Sequence, residues 1–295
     1  MAKTCCGDLQ TTNSPTTLGK ETKGEPEMHA PVDATDRSGP IVPTETNTAT
    51  ELIGMAEVLL GWRANRAALG PNQEAVRRFI LTQYPLLGRA PSCQEIAAAL
   101  ELSPSEVRTT LERLHELDFL NLEPGSREIR LAYPFSTVPT RHVVKFPDWV
   151  EAKPVYAQCA VDALGIPFMF RGDLSIASSC AHCKKPIEIE VRDRKITAYL
   201  PAETVAWSGT VTMYRDCVAD ICPSVNFFCS PAHVSAWQVG QKEANGSILS
   251  LGEALYLGKG IFENHLYAQP STMSSATTTL HSPRSENSVM TASAA

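Results

Sequence analysis

Cys159 and Asp162 stand three residues apart in the stretch Val155-Tyr156-Ala157-Gln158-Cys159-Ala160-Val161-Asp162-Ala163-Leu164. On a helix that spacing puts both side chains on one face. A soft thiol beside a hard carboxylate suits one kind of chemistry: the sulfur holds a soft metal or electrophile while the carboxylate moves a proton. The competing reading is structural, with the Cys filling a core gap and the Asp capping the helix or facing water, because free Cys is among the most buried residue types. Cys180-Ala181-His182-Cys183 adds a Cys-x-x-Cys pair with the spacing of a structural zinc knuckle, for which Cys217 with Cys222 or Cys229 would complete the ligand set. At the start of the chain, Cys5-Cys6 is a vicinal dithiol that either captures a thiophilic ion or does nothing.

The elements that must position these groups follow from pattern and punctuation. Pro154 before Val155, and Gly165 and Pro167 after Leu164, frame the Cys159 stretch as a short helix with a defined start and stop. Beyond it, Ile187-Glu188-Ile189-Glu190-Val191 alternates as a half-buried strand should, and Ile196 to Leu200 returns as its partner across a polar turn. Thr204 to Tyr214 reads as a further strand, Asp216 to Pro223 as a loop, and Val225 to Phe228 as a buried strand. Ser230-Pro231 opens a helix through Trp237, and Ser250-Leu251-Gly252-Glu253 caps a last one. The expectation is a mixed α/β domain around an antiparallel sheet.

Upstream the period is helical. Leu52, Met55, Val58, Leu59 and Trp62 recur at three and four residues, and a second helix after Gly70-Pro71 buries Val76, Phe79 and Ile80. Ser92 caps a third helix from Cys93 to Leu100, with Cys93 taken as structural. Ser103-Pro104-Ser105-Glu106 is a capping box for a fourth that carries Val107, Leu111, Leu114 and Leu117. Phe119 to Leu122 and Ile129 to Tyr133 then form a hairpin around Pro124-Gly125-Ser126. This order resembles a winged helix-turn-helix. The fold class is therefore α+β, an N-terminal winged-helix-like helical domain followed by the mixed α/β domain. The boundaries are 1–48 as a disordered arm, 49–145 as the winged-helix-like domain, 146–268 as the cysteine-bearing catalytic domain and 269–295 as a disordered Ser/Thr-rich tail.

Charge limits the partners. The formal net charge is -6 over 295 residues, and the fourth helix carries Glu106, Glu112 and Glu116 against Arg108 and Arg113. Acid there repels phosphate, so no nucleic-acid partner is expected. No signal peptide or uncharged apolar run of about 18 residues is present, which gives an expectation of a cytoplasmic protein without membrane contact. In a reducing compartment the nine cysteines are thiols with a task or buried fillers rather than disulfides.

Three blocks carry a more specific likeness. Val155-Tyr156-Ala157-Gln158-Cys159-Ala160-Val161-Asp162, Ser179-Cys180-Ala181, and Ile221-Cys222-Pro223-Ser224-Val225-Asn226-Phe227-Phe228 with a Ser-initiated helix ending in Trp237 together resemble the organomercurial (alkylmercury) lyases. The resemblance spans roughly residues 60 to 240, the winged-helix-like part included. It implies Cys159 and Cys222 as the mercury-binding catalytic cysteines, Asp162 as the proton-handling carboxylate and Cys180 as a structural cysteine. Gln158 stands where the family usually has Trp, Pro223 where a Cys commonly follows the second catalytic one, and Ser224-Val225-Asn226 where a polar His-x-His-like stretch is found.

What the resemblance implies about function is protonolysis of a carbon–mercury bond. Two thiolates hold the mercury of an organomercurial substrate, Asp162 returns a proton to the carbon, and Hg(II) stays on Cys159 and Cys222. No organic cofactor or permanent metal is needed, a low-molecular-weight thiol removes the product, and a mercuric reductase is the expected recipient. A zinc knuckle that used Cys222 would silence this activity, so at this level the two uses exclude each other. The alternative from another class is a winged-helix, thiol-rich metal-sensing transcriptional regulator with a zinc or mercury site.

Overall fold

Three of the five helices of the N-terminal half begin where a side chain caps them, in the computed structural model that describes residues 39–209, 221–241 and 245–266. Thr46 accepts from Ala49 N and opens α1 (Asn47–Leu60), which ends at Gly61 in the left-handed region (φ 58°). α2 (Trp62–Ala67) follows directly, so the expected single helix through Trp62 is broken by that glycine. Pro71 occupies the first turn of α3 (Pro71–Leu87). Reciprocal capping boxes of Ser92 with Glu95 and Ser103 with Glu106 open α4 (Cys93–Leu100) and α5 (Pro104–Glu116), as the sequence predicts.

Eleven strands follow among the described residues. β1 (Leu120–Leu122) and β2 (Ile129–Ala132) are the expected hairpin. Next come β3 (Phe135–Ser136), β4 (His142–Lys145), β5 (Val155–Ala157), β6 (Leu174–Ser179), β7 (Pro186–Arg192) and β8 (Lys195–Leu200). These eight form one antiparallel sheet in the order β1-β2-β3-β5-β4-β6-β7-β8. A second sheet, β10-β9-β11, joins β9 (Val205–Gly209), β10 (Val225–Phe228) and β11 (Gly246–Ser250). The hairpin of the N-terminal half is thus hydrogen-bonded into the sheet of the C-terminal half through β3. One buried hydrophobic cluster takes in residues from Trp62 to Leu266.

Three further helices complete the described fold: α6 (Ala160–Phe170), α7 (Pro231–Gln238) and α8 (Leu251–Phe262). Every residue of α6 from Ala160 to Met169 is buried, as expected of a helix apolar on all sides, and it packs against α8, β4, β5 and β10. The crossing with α8 is close because it is made by glycines. A Cβ on Gly258 would stand 2.9 Å from Gly165 N, and one on Gly165 would enter the ring of Phe262.

The Cys159 stretch departs from its expected form. Val155–Ala157 is a strand paired with β3 and β4, and the helix starts only at Ala160 and runs past Gly165 and Pro167 to Phe170. Residue-by-residue helix preference is a weak bias, and two available strand edges override it at Val155 and Tyr156. Gly165 is a notch that admits α8 rather than a stop.

Candidate functional site

Cys159 does not lie within the helix but at its N-cap, with extended backbone (φ -145°) and a sulfur that accepts from Asp162 N at 3.4 Å. Asp162 is the third residue of α6. Capping turns the two side chains toward each other just as the expected shared helix face would, so their pairing survives the change in local structure. Cys222 arrives from sixty residues downstream on a short 3-10 turn, Cys222–Ser224, that leads into β10. Ser224 Oγ donates to Ile221 O at 2.7 Å and Asn226 Nδ2 to Pro223 O at 2.8 Å, which fixes the turn.

The three groups meet. Cys222 Sγ lies 3.9 Å from Asp162 Oδ2, Cys222 also hydrogen-bonds with Cys159, and one ligand atom from each of the three residues falls within 4.8 Å of the others. All three residues are at most 6 % exposed. Burial dominates their acidity. It raises the Asp162 carboxyl from 3.8 to about 7, against hydrogen bonds from Cys159 and Cys222 that pull it down. It raises the Cys159 thiol from 9.0 to about 11, partly offset by the hydrogen bond with Cys222. At neutral pH the Cys159 thiol keeps its proton unless a base removes it, and Asp162 is poised to be that base or the returning acid.

These groups form the floor of an apolar cavity of about 660 Å³ of empty space, counting the part open to solvent. Its walls come from both halves of the chain: Leu52 and Met55 of α1, Trp62 of α2, Tyr133, Leu257 and Ile261 of α8, and Val225. Trp62 and Tyr133 pack with their ring centroids 5.1 Å apart and their planes tilted by 47°. They give the cavity an aromatic wall, and nothing in the helical or strand period of the sequence distinguishes a cavity-facing aromatic from a core one. Asp162 is the buried carboxylate of this cavity, a hard ligand next to two soft ones.

Cys180 and Cys183 do not join this site. They meet Cys229 and His233 in a second group to which Cys222 does not belong, so the exclusion expected from the sequence does not arise. His233 escaped the sequence reading although the spacing Cys229-x-x-x-His233 is visible in it. Cys93 is set apart on α4, its thiol toward Pro104 O at 3.5 Å. Cys5, Cys6 and Cys217 lie outside the described residues, as do residues 1–38 of the expected N-terminal arm and all of the expected tail, whereas residues 39–48 of that arm are described, with Ile41 bridged to Ile196 and α1 opening at Asn47. Among the described residues no helix is long and apolar enough to cross a membrane.

Comparison with known proteins agrees with this geometry. Residues 135–263, which hold all three groups, match the family model described as MerB: Alkylmercury lyase. The chain is 27% identical to an alkylmercury lyase of Staphylococcus epidermidis over 166 residues, 56% of this chain and 72% of that one. It is 24% identical to an alkylmercury lyase of Bacillus cereus over 200 residues, 68% of this chain and 86% of that one. In three dimensions it is similar to the mercury-bound form of MerB2, with a TM-score of 0.58 and 24% identity over 74% of this chain and 99% of that chain, a likeness of fold. Over residues 135–263, where the cysteine pair and its aspartate stand, the chain is similar to the alkylmercury lyases.

Proposed function

We propose that the chain cleaves the carbon–mercury bond of organomercurials by protonolysis, with Cys159, Asp162 and Cys222 as the reacting groups. The observation that carries this is the packing of two thiols and one carboxylate within 4.8 Å on the buried floor of an apolar cavity. Two thiolate bonds to one heavy atom, each of about 2.3 Å or slightly more, bridge sulfurs up to that limit, nearly linear at the limit and bent at shorter separations. Mercury prefers sulfur to oxygen, which leaves the carboxylate free for the proton.

The Asp162 carboxylate takes a thiol proton, and the thiolate displaces the counter-ligand from R–Hg–X, forming a sulfur–mercury bond and releasing X⁻. As the second sulfur joins, electron density on the carbon rises. Asp162 then delivers its proton to that carbon; the carbon–mercury pair becomes the new C–H bond, and the proton of the second thiol passes to the carboxylate. The products are R–H and Hg(II) on Cys159 and Cys222. Two external thiols exchange onto the metal, restoring both cysteine thiols, Asp162 releases its remaining proton to solvent, and a mercuric reductase is the proposed recipient in a detoxification sequence. This chemistry asks for no organic cofactor, and the apolar walls formed by Leu52, Met55, Trp62 and Tyr133 fit the organic group while keeping bulk water from the carbanion-like carbon.

The N-terminal half is read as a winged-helix-like unit over residues 49–145 that walls the catalytic part, 146–268, rather than reading DNA in the cytoplasm. On α5 the acidic side chains hold nearby arginines: Arg113 pairs with Glu116 at 2.9 Å, and Glu112 faces Arg127 at 3.7 Å. The test is release of benzene from a phenylmercury salt in the presence of excess thiol. Catalytic benzene release supports the reading; inertness of the folded protein refutes it.

A further inference from the structure

Cys180, Cys183, Cys229 and His233 are drawn together from two separate stretches, and the mechanism uses none of them. One ligand atom from each lies within 4.8 Å of the other three. Cys183 Sγ and Cys229 Sγ are 3.6 Å apart, and Cys180 Sγ and His233 Nδ1 are 3.7 Å apart. A zinc ion with bonds of about 2.3 Å to sulfur and about 2.0–2.1 Å to nitrogen sets tetrahedral edges of about 3.5–3.8 Å, so both distances already match. The Cys229 Sγ to His233 Nδ1 separation, 2.8 Å, is that of a hydrogen bond and opens by about 0.7 Å on ligation.

The backbone is built for the same purpose. Residues 180–185 close the hairpin between β6 and β7, with Cys180 N bonded to Lys185 O at 2.9 Å and Lys184 N to Cys180 O at 3.0 Å. The backbone N–H groups of His182, Cys183 and Cys229 all point at the Cys180 sulfur, an arrangement suited to a thiolate acceptor. Lys184 sits at φ 65°, a strained conformation for a side-chain-bearing residue, and its ammonium is tied back to Ala181 O at 2.8 Å. The second pair of ligands flanks the start of α7: Cys229 precedes the N-cap Ser230, and His233 lies in the first turn. Ala181 N donates to Phe227 O at 3.0 Å, joining the knuckle to the strand that carries Cys229.

We propose that these four residues form a structural zinc site of the Cys3His type, separate from the mercury-handling cysteines. Four protein ligands close the coordination sphere and leave no position for a substrate. The site clamps one end of β10, whose other end begins at the Cys222 turn. Zinc thus holds the strand that presents a reacting sulfur without touching the reaction.

The experiment is metal analysis of the full chain purified under reducing conditions with zinc present, followed by cobalt exchange. The expected result is about one zinc per chain, retained in Cys159→Ala and Cys222→Ala and lost in Cys183→Ser and His233→Ala. Cobalt in the wild-type chain should give the intense d–d and thiolate-to-metal bands of a tetrahedral sulfur-rich site. That spectrum needs no variant to fold. A chain that takes up neither metal, or one whose zinc leaves with Cys159 or Cys222, overturns the proposal. So does a Cys183–Cys229 disulfide in place of two free thiols under those conditions.

Discussion

Cys222 Sγ stands 3.9 Å from Asp162 Oδ2, although sixty residues separate them in the chain. That contact decides what Asp162 does. A carboxyl held at about 7 by burial and touched by both thiols exchanges protons with sulfur at neutral pH, as a carboxylate at its ordinary 3.8 does not. Asp162→Asn is therefore expected to keep mercury binding while losing hydrocarbon release by a factor of about 10²–10⁴, the usual weight of one general acid–base group. Parallel measurement of mercury retention and benzene release separates the two; full turnover in the variant removes the proton role.

The same carboxyl sets a pH dependence. The free enzyme needs the ionised form to take a thiol proton, so kcat/KM should rise as pH passes upward through about 7 and then level. A kcat/KM profile with no limb between about pH 6 and 8 contradicts the assignment.

Burial of Asp162 also costs stability, and the sign is fixed. Its folded-state value, about 7, lies above the ordinary 3.8, so the folded form holds a proton that the unfolded form has lost between those pH values. Stability associated with this group is full below about pH 3.8 and declines as pH rises to about 7. At 1.36 kcal/mol per pH unit the loss is about 4 kcal/mol at most. Asp162→Asn should therefore gain in denaturant midpoint relative to wild type at pH 8 and show little gain at pH 4. An equal shift at both values would mean that ionisation is not the cause.

Trp62 is a wall of the cavity and a structural pin. It is 8 % exposed, its Nε1 donates to Asp118 O at 2.8 Å, and it packs on Tyr133 and Phe262. Trp62→Ala should cost about 3–5 kcal/mol by equilibrium unfolding. In protein that remains folded, KM for an arylmercurial should rise more than for a methylmercurial, since the aryl group is the larger wall contact. Equal effects on both substrates would place the organic group elsewhere.

The crossing of α6 and α8 positions Cys159 and Asp162 at one end of α6. Gly258→Ala should separate the helices, costing about 1–3 kcal/mol and lowering kcat as well as the thermal midpoint. Cys93→Ser, on α4, should change neither.

Much of this site was legible in the residues because capping and alternation act locally. The capping boxes at Ser92, Ser103 and Ser250 and the alternation of Ile187 to Val191 announce elements that form as expected. The pairing of Cys159 with Asp162 is legible in their spacing, but Cys222 joins them only through the likeness to a family, because no local rule brings together residues sixty apart. Val155 and Tyr156 misled because their strand depends on β3 and β4, elements too short to show a period. Trp62 and Tyr133 became cavity walls, and His233 a neighbour of three cysteines, through tertiary packing alone.

The most direct measurement is a single turnover with phenylmercury below one equivalent and no external thiol, followed by mercury-edge X-ray absorption of the protein. One benzene per mercury, with the metal left in a two-sulfur environment that disappears in Cys159→Ser and Cys222→Ser, is the predicted result. Mercury retained without benzene, or bound unchanged in both variants, would contradict the account.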